Sequence, residues 1–435
     1  MISKKHVQWH SATSEYPAFS MLLVMVLILL SLFTTVYLCY VAFIICIIRI
    51  IRYDEKVFAT DYCMLIPVTP IFRLSDGMTF LIWMCLIGSI WYMSRNRIRG
   101  DGGMVCLILM LNYLIMRMQM DVHNFILCFG QMFVLYALLP KQDAQSAARS
   151  LKAFCCSLVA TSIFAILVRN TPQLAAIRGK ETVAIWGTNI MRFCGLFRDP
   201  NFYMTLLMVG LALLCKLKEI GEIKGFVFWV LAVSLTAFGI LTYSKTFFLA
   251  LILLIGLYIF WHFWDKKVIY GVFMILVGIV SARYLLFAED SPFAIVLARL
   301  TSANNISELT TGRTDVYAQY LTAIFNNVGT FLFGYGLGAS GLLKDPHNVL
   351  IELTYYTGVF GLILYVSFCI IMFKTMDDKR VRVRQNLVSK YVLVIMMLVL
   401  YAPLNGIFTT IFYSELFLTF MAVLLTKKDC LKTES

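Results

Sequence analysis

The sequence predicts an all-α polytopic membrane protein with about 12 transmembrane helices and a large, partly helical external loop between spans 9 and 10. Three observations predict it. The 435 residues are 60% hydrophobic and only 14% charged, whereas soluble domains carry about 25% charged residues. Apolar runs long enough to cross a hydrocarbon layer of ~30 Å recur along the chain. The basic residues fall in short clusters between those runs, as they do in cytoplasmic membrane loops. The net charge of +13 is therefore read as a membrane signature and not as a nucleic-acid one.

The expected spans cover 19–48, 78–93, 104–120, 125–139, 151–168, 202–214, 226–243, 246–263, 268–287, 349–373, 391–403 and 407–425. The first is the odd one. As a helix it would be about 45 Å long, too long for one upright span and too short for two. Tilt resolves this, and so does a hairpin in which 63–72 makes an extra crossing. A polar lead followed by so long an apolar run does not fit a cleavable signal peptide. The organisation read from the chain is a cytoplasmic tail at 1–18, one membrane domain over 19–426, and a second cytoplasmic tail at 427–435.

Charge sets the expected orientation. With both ends cytoplasmic, the inner loops hold Lys4 and Lys5, Arg95 to Arg99, Lys141 to Lys152, Lys216 to Lys224, Lys266 and Lys267, Lys374 to Lys390, and Lys427 to Lys432. Two external loops, 169–201 and 288–347, are then too long to be simple connectors. Within the second, Val316, Tyr320 and Ile324 at i, i+4 spacing predict a helix over 315–326.

The external side carries cations that the positive-inside rule does not explain, among them Arg192, Arg198, Lys245 and Arg313. Lys245 stands at the border of two apolar runs, where an ionisable group is costly. Helix starts point the same way. Asp199-Pro200-Asn201 and Asp345-Pro346-His347-Asn348 each open an inward-going span, and Ser244 can cap the span that starts at Lys245. Helix N-termini attract anions. Together these groups predict an anion site at lipid-headgroup depth, suited to a polyprenyl diphosphate. Arg192, Asn201 and Asn348 complete the candidate diphosphate-binding set with Arg198, Lys245 and Arg313. Of the five histidines, His347 lies at the mouth of a span beside the long loop, where a neutral imidazole can take a proton from an attacking hydroxyl. Asp199 is the alternative base. Gly334-Tyr335-Gly336-Leu337-Gly338 lacks the strand–helix context of a nucleotide loop and is read as a close-packing turn. The twelve cysteines lie mostly inside apolar runs and form no Cys-x-x-Cys pair, so neither a metal site nor a redox motif is expected.

Three segments carry a family resemblance. Arg192-Phe193-Cys194-Gly195-Leu196-Phe197-Arg198-Asp199-Pro200-Asn201 resembles the segment before a middle span of bacterial O-antigen and capsule polymerases. Thr311-Gly312-Arg313-Thr314-Asp315-Val316-Tyr317 looks like the Gly-Arg motif of their large external loop. Phe333 to Gly338 followed by His347-Asn348-Val349-Leu350 is similar to the end of that loop. O-antigen ligases share this architecture. The resemblance implies a membrane glycosyltransferase, independent of metal and cofactor, that polymerises undecaprenyl-diphosphate-linked oligosaccharide units at the outer face of the cytoplasmic membrane. A ligase is the alternative, and a transporter of polysaccharide precursors the second. It further implies Arg313, with a basic residue at the outer end, as the diphosphate grip, and His347 as essential. A chain-length regulator and a flippase are implied as partners, and nucleic acid is not. Where many relatives have Ser-Arg, this chain has Ser244-Lys245, which keeps the charge but loses the bidentate fork.

Overall fold

The computed structural model describes residues 16–73, 79–95, 102–117, 132–177, 182–185, 188–261, 294–295, 312–336, 346, 348–376, 416–422 and 424–425. The first apolar run is broken. α1 (Ala18–Ser31) and α2 (Tyr37–Arg52) form an antiparallel hairpin, with Ser31 Oγ 3.1 Å from Cys39 Sγ at the turn. Of the two resolutions open for the run 19–48, tilt or a hairpin, the structure has two helices. The physical cause lies at the turn, where Ser31 and Thr34 hydroxyls donate back to the Ile28 and Leu30 carbonyls at 2.6 and 3.1 Å. Such back-bonding bends a helix and competes with its continuation.

α3 (Glu55–Leu65) follows directly, its N-terminus capped by Asp54, which accepts from the Val57 amide at 2.9 Å. A buried ion pair locks α2 to α3. Arg49 Nε and Nη2 each donate to an Asp61 carboxylate oxygen at 2.7 Å, and Tyr16 Oη donates to the same carboxylate at 2.6 Å. Arg49 Nη1 reaches the Pro17 carbonyl at 3.0 Å and so closes the base of the α1–α2 hairpin. A fully hydrogen-bonded bidentate pair is the form in which charge tolerates such burial.

The chain continues through α4 (Phe80–Arg95), α5 (Gly102–Arg117), α6 (Met132–Lys141) and α7 (Ala144–Leu167), the last opened by a capping box on Asp143. Then come α8 (Pro172–Ile177) and an antiparallel pair, β1 (Thr182–Ile185) and β2 (Thr188–Met191), with Thr182 opposite Met191. This small sheet departs from the all-helical expectation. It sits in the first long loop, where Val183, Ile185 and Ile190 supply β-branched residues. α9 (Pro200–Glu219), α10 (Gly225–Ile240) and α11 (Lys245–Trp261) form the middle of the bundle. The second long loop contributes α12 (Arg313–Ile324) and α13 (Val328–Phe333) and leads to α14 (Val349–Met376). Residues 416–422 and 424–425 are also helical. The spans expected over 268–287 and 391–403 lie outside the described residues.

Among the described residues, three helices are long and apolar enough to cross a membrane: Ala144–Leu167, Pro200–Glu219 and Val349–Met372. α9 is buried almost all round, from Phe202 to Leu214, which makes it the central helix. It packs against α7, α10 and α11, and α3 packs on α7. Large apolar side chains face outward from α1, α2, α10 and α11 (Phe19, Ile44, Phe226 and Ile252 for example), as a lipid-facing surface requires.

Polar contacts gather at the two ends of the bundle. At one end Lys56 pairs with Asp143, Gln142 Nε2 donates to the Glu55 carbonyl at 3.1 Å, and Lys152 Nζ lies 3.0 Å from a Glu222 oxygen. Tyr92 Oη donates to the Asp54 carbonyl there, at 3.3 Å. Gln142, Asp143, Lys152 and Glu222 belong to basic clusters that the sequence places on one side of the membrane, and Tyr92 lies beside another. The N-termini of α9 and α11 lie at the opposite end.

Candidate functional site

The segment 192–199 wraps the start of the central helix. Gly195 adopts a left-handed conformation (φ +57°), and a Cβ there would stand 2.6 Å from the Tyr203 ring, so only glycine fits. Phe193 meets Tyr203 edge-on and Phe197 stacks on it. Tyr203 Oη donates to Ser162 Oγ at 2.6 Å and ties the assembly to α7. The Arg-Phe-x-Gly-Leu-Phe string is therefore a clasp around Tyr203, and it fixes the residues at either end of itself.

Arg192 stands at one end of the clasp and is buried. Its Nε donates to the Thr242 carbonyl at 2.9 Å and its Nη2 to Asn201 Oδ1 at 3.1 Å. Ser244 Oγ also donates to Asn201 Oδ1, at 3.4 Å, and the Phe193 amide donates to the Leu241 carbonyl at 3.0 Å. Arg192 and Asn201 thereby join the N-termini of α9 and α11. The joint includes Tyr243, whose φ of 49° is an outlier for a bulky side chain. Backbone strain of this kind costs about 1–3 kcal/mol and persists only where the surroundings enforce it. Lys245, the first residue of α11, is half-buried beside this joint.

Asp199 and Arg198 close the clasp. Asp199 Oδ1 accepts from the Asn201 amide at 2.6 Å and caps α9, with Pro200 in its first turn, as the Asp-Pro reading expects. Arg198 is exposed.

Arg313 opens α12, as the loop reading expects a helix there, and the buried face of α12 is Val316, Tyr320 and Ile324. Burial pulls the Arg313 guanidinium below its ordinary value. Tyr317, one turn on, hydrogen-bonds to it and raises it, the Asp199 carboxylate raises it, and the Arg192 guanidinium lowers it. Arg313 thus lies within electrostatic reach of both ends of the clasp, although more than a hundred residues separate them in sequence. An arginine so perturbed stays cationic. The remainder of α12 packs on the outer part of α14, where Tyr320 meets Tyr355 edge-on at 4.9 Å.

Asn348 caps α14, its Oδ1 accepting from the Leu350 and Ile351 amides at 3.0 and 3.2 Å. The cap is Asn348 and the helix starts at Val349, where the expected span 349–373 begins. His347, Lys344 and Asp345 lie outside the described residues. At α9 and α14 some of the N-terminal N–H groups already have partners. Asp199 takes the Asn201 amide, Pro200 has none, and Asn348 takes two amides of α14. Positive charge at this end comes mainly from Arg192, Arg198, Lys245 and Arg313, helped by the helix macrodipoles.

The glycine-rich turn behaves as a close-packing element. α14 is interrupted at Gly358 (φ 67°, ψ −178°), which frees carbonyls of the preceding turn. The amides of Tyr335 and Gly336 donate to the Tyr355 and Tyr356 carbonyls, both at 2.8 Å. Tyr113 Oη on α5 donates to the Phe333 carbonyl at 2.9 Å and to that of Thr357. The turn thus supplies the donors that the broken helix needs. A Cβ on Gly358 would collide with the backbone of Leu332 and Phe333, and one on Gly334 with that of Tyr356 and Gly358.

The structure brings together Arg192, Asp199, Asn201 and Arg313, with Ser244 and Lys245 alongside. Asn348 caps α14, the helix on which α12 packs through Tyr355. Sequence reasoning did not single out Tyr317 or the Thr242 carbonyl as site groups. The i, i+4 spacing of Arg313 and Tyr317 was the available signal for the first. Glu352 is a fully buried carboxylate in the first turn of α14.

The chain is similar to the ComP-specific O-oligosaccharyltransferase of Acinetobacter baylyi, with 27% identity over 202 residues, covering 42% of this chain and 36% of that protein. The match therefore spans little more than a third of that relative's length. No family model matches the chain, and no solved structure matches it.

Proposed function

We propose that this protein is a membrane glycosyltransferase that moves an oligosaccharide from a polyprenyl diphosphate, with polymerisation of lipid-linked repeat units as its reaction. The observation that carries the reading is Arg313 at the start of α12, within electrostatic reach of Asp199 and Arg192 at the joint where α9 and α11 begin. A group of cations at the end of a helical bundle suits a lipid diphosphate, whose charge grows as it leaves. The likeness to an oligosaccharyltransferase supports glycan transfer at this coarser level. The bundle end opposite the Lys56–Asp143 pair is taken as the external one, because the basic clusters belong to the cytoplasm. About twelve spans, cytoplasmic termini and residence in the bacterial inner membrane complete the proposal.

In the proposed step, a sugar hydroxyl of a second lipid-linked unit attacks the anomeric carbon of the donor chain. The new glycosidic C–O bond forms as the bond to the diphosphate oxygen breaks. The diphosphate leaves with the electron pair, and His347 takes the hydroxyl proton. Asp199 is committed to capping α9 and to the charge of Arg313, which favours His347 as the acceptor. A single in-line displacement inverts the anomeric centre. The cations stabilise the leaving group, so a chelator should leave the activity intact.

A second reading is transfer to an acceptor that is not a lipid-linked repeat unit, which the Acinetobacter baylyi match favours. The glycan pattern of a deletion strain separates the two. Single repeat units on the carrier support the polymerase. Full chains stranded on the carrier, with the surface acceptor bare, support the transferase. An unchanged pattern rejects both.

A further inference from the structure

The second long loop contains a surface that does not suit water. Residues 316–343 carry no charged side chain, in a segment expected to be an external loop and against an average near 25% for water-exposed sequence. α12 and α13 turn Leu321, Phe325, Val328, Leu332 and Phe333 outward, with Phe325 64% and Val328 73% exposed. Leu321 and Phe325 are one helical turn apart, as are Val328 and Leu332, so each helix has an apolar outer stripe. The opposite face of α12 is already used, since Val316, Tyr320 and Ile324 pack around Tyr355.

The position of this surface is fixed by the broken helix. Leu332 and Phe333 sit where a Gly358 side chain would be, and Gly358 lies nine residues into α14, about 14 Å along its axis. Phe333, Tyr113 and Phe360 are neighbours, through the Tyr113 hydrogen bond to Phe333 and the Tyr113–Phe360 ring contact at 5.5 Å. Phe360 begins the outward-facing apolar flank of α14, which continues through Ile363 and Val366. The exposed stripe of α12 and α13 is thus continuous with the side of a helix that crosses the membrane. Tyrosines 320, 335, 355 and 356 cluster at the same level, in the manner of the aromatic belt at a membrane surface.

We infer that α12 and α13 are not a solvated loop but an interfacial anchor, with Leu321, Phe325, Val328, Leu332 and Phe333 inserted among the acyl chains of the leaflet on the site's side. The occupant of the surface is lipid. This geometry gives Arg313 its depth. α12 is about 18 Å long, with Phe325 just past one end in lipid and Arg313 at the other, within electrostatic reach of Asp199. The anchor thereby holds the cation at headgroup level. The lipid contact itself does not depend on the proposed reaction, whereas the role given to Arg313 rests on it.

The test is site-specific photocrosslinking in native membranes. A benzophenone amino acid replaces Phe325 or Val328 in the full chain, with Ile363 as the lipid-facing reference and Asp315, which is exposed and polar, as the aqueous one. Mass spectrometry of the irradiated protein should find phospholipid adducts at 325 and 328 in yields near that of 363 and well above that of 315. Adducts to a second copy of the chain or to another protein overturn the inference, as does a yield no greater than at 315. Val328→Asp offers a second readout. It should shift the protein toward extraction at lower detergent concentration, and unchanged extraction would also count against the anchor. Glycan transfer is measured in parallel. Lipid adducts with no transfer activity would uphold the anchor and reject the proposed function.

Discussion

Replacing Arg192 separates a brace from a ligand. Among the described residues the guanidinium hydrogen-bonds to the Thr242 carbonyl and to Asn201 Oδ1, and so joins the first turns of α9 and α11. Hydrogen bonds involving a charged group contribute about 1.5–3 kcal/mol each, so Arg192→Ala should cost on the order of 3–6 kcal/mol if nothing relaxes. Ser244 Oγ still donates to Asn201 Oδ1, which leaves the Thr242 carbonyl as the orphan and favours the lower figure. Arg192→Lys keeps the charge but cannot span both acceptors, and should recover about half of the loss. The assay is the thermal unfolding midpoint of purified protein in detergent, read beside transfer activity. The account expects a fall of several degrees for Arg192→Ala and an intermediate value for Arg192→Lys, with activity following the folded fraction. An unchanged midpoint with abolished transfer would refute the reasoning and make Arg192 a substrate ligand.

The other expectations concern independent parts of the molecule. Arg313→Ala should abolish transfer while leaving membrane levels and the unfolding midpoint near those of the parent, and Arg313→Lys should retain a fraction of the activity; normal glycan chains in Arg313→Ala would reject the assignment. Arg49→Ala should lower stability by about 3–5 kcal/mol, because Asp61 keeps only Tyr16 in a buried site, whereas the double change Arg49→Leu with Asp61→Leu should be milder; thermal unfolding of the three variants checks the order. Gly358→Ala should prevent accumulation of folded protein, since the new Cβ meets backbone on both sides of the Leu332–Phe333 peptide; a monodisperse Gly358→Ala variant with parental stability would contradict the interlock.

Much of this arrangement could be read from the chain, and the exceptions have definite causes. The helix over 313–324 was legible because Val316, Tyr320 and Ile324 keep one face, and that face is the buried one. The Asp199-Pro200 start was legible because capping is a local property. The turn between α1 and α2 was legible only as one of two possibilities, because hydropathy does not distinguish a long tilted helix from a hairpin when the turn residues, Leu32 to Val36, are mostly apolar or small. The sheet at 182–191 was hidden in a loop with no clear period. Gly358 carried no signal of a break, since an isolated glycine is common in membrane helices, and its conformation depends on donors from the 333–336 turn. The exposed stripe of α12 and α13 was present as an uncharged stretch, but the segment was assigned to the aqueous side by its place between spans.

The site shows the same division. Residue types identified the cations, but only the fold distinguishes Arg192, enclosed between two helix ends, from Arg198, which faces outward. The N-termini of α9 and α14 are capped by Asp199 and Asn348. Side-chain charge, above all that of Arg313, therefore carries most of the attraction.

The most direct measurement is retention of undecaprenyl diphosphate by the purified protein, followed by native mass spectrometry, for the parent chain and for Arg313→Ala. The account predicts a bound lipid diphosphate in the parent, displaced by inorganic diphosphate, and its loss in the variant at an unchanged unfolding midpoint. Equal retention by both proteins would contradict the claim that Arg313, held beside Asp199 and Arg192, grips the lipid's phosphates.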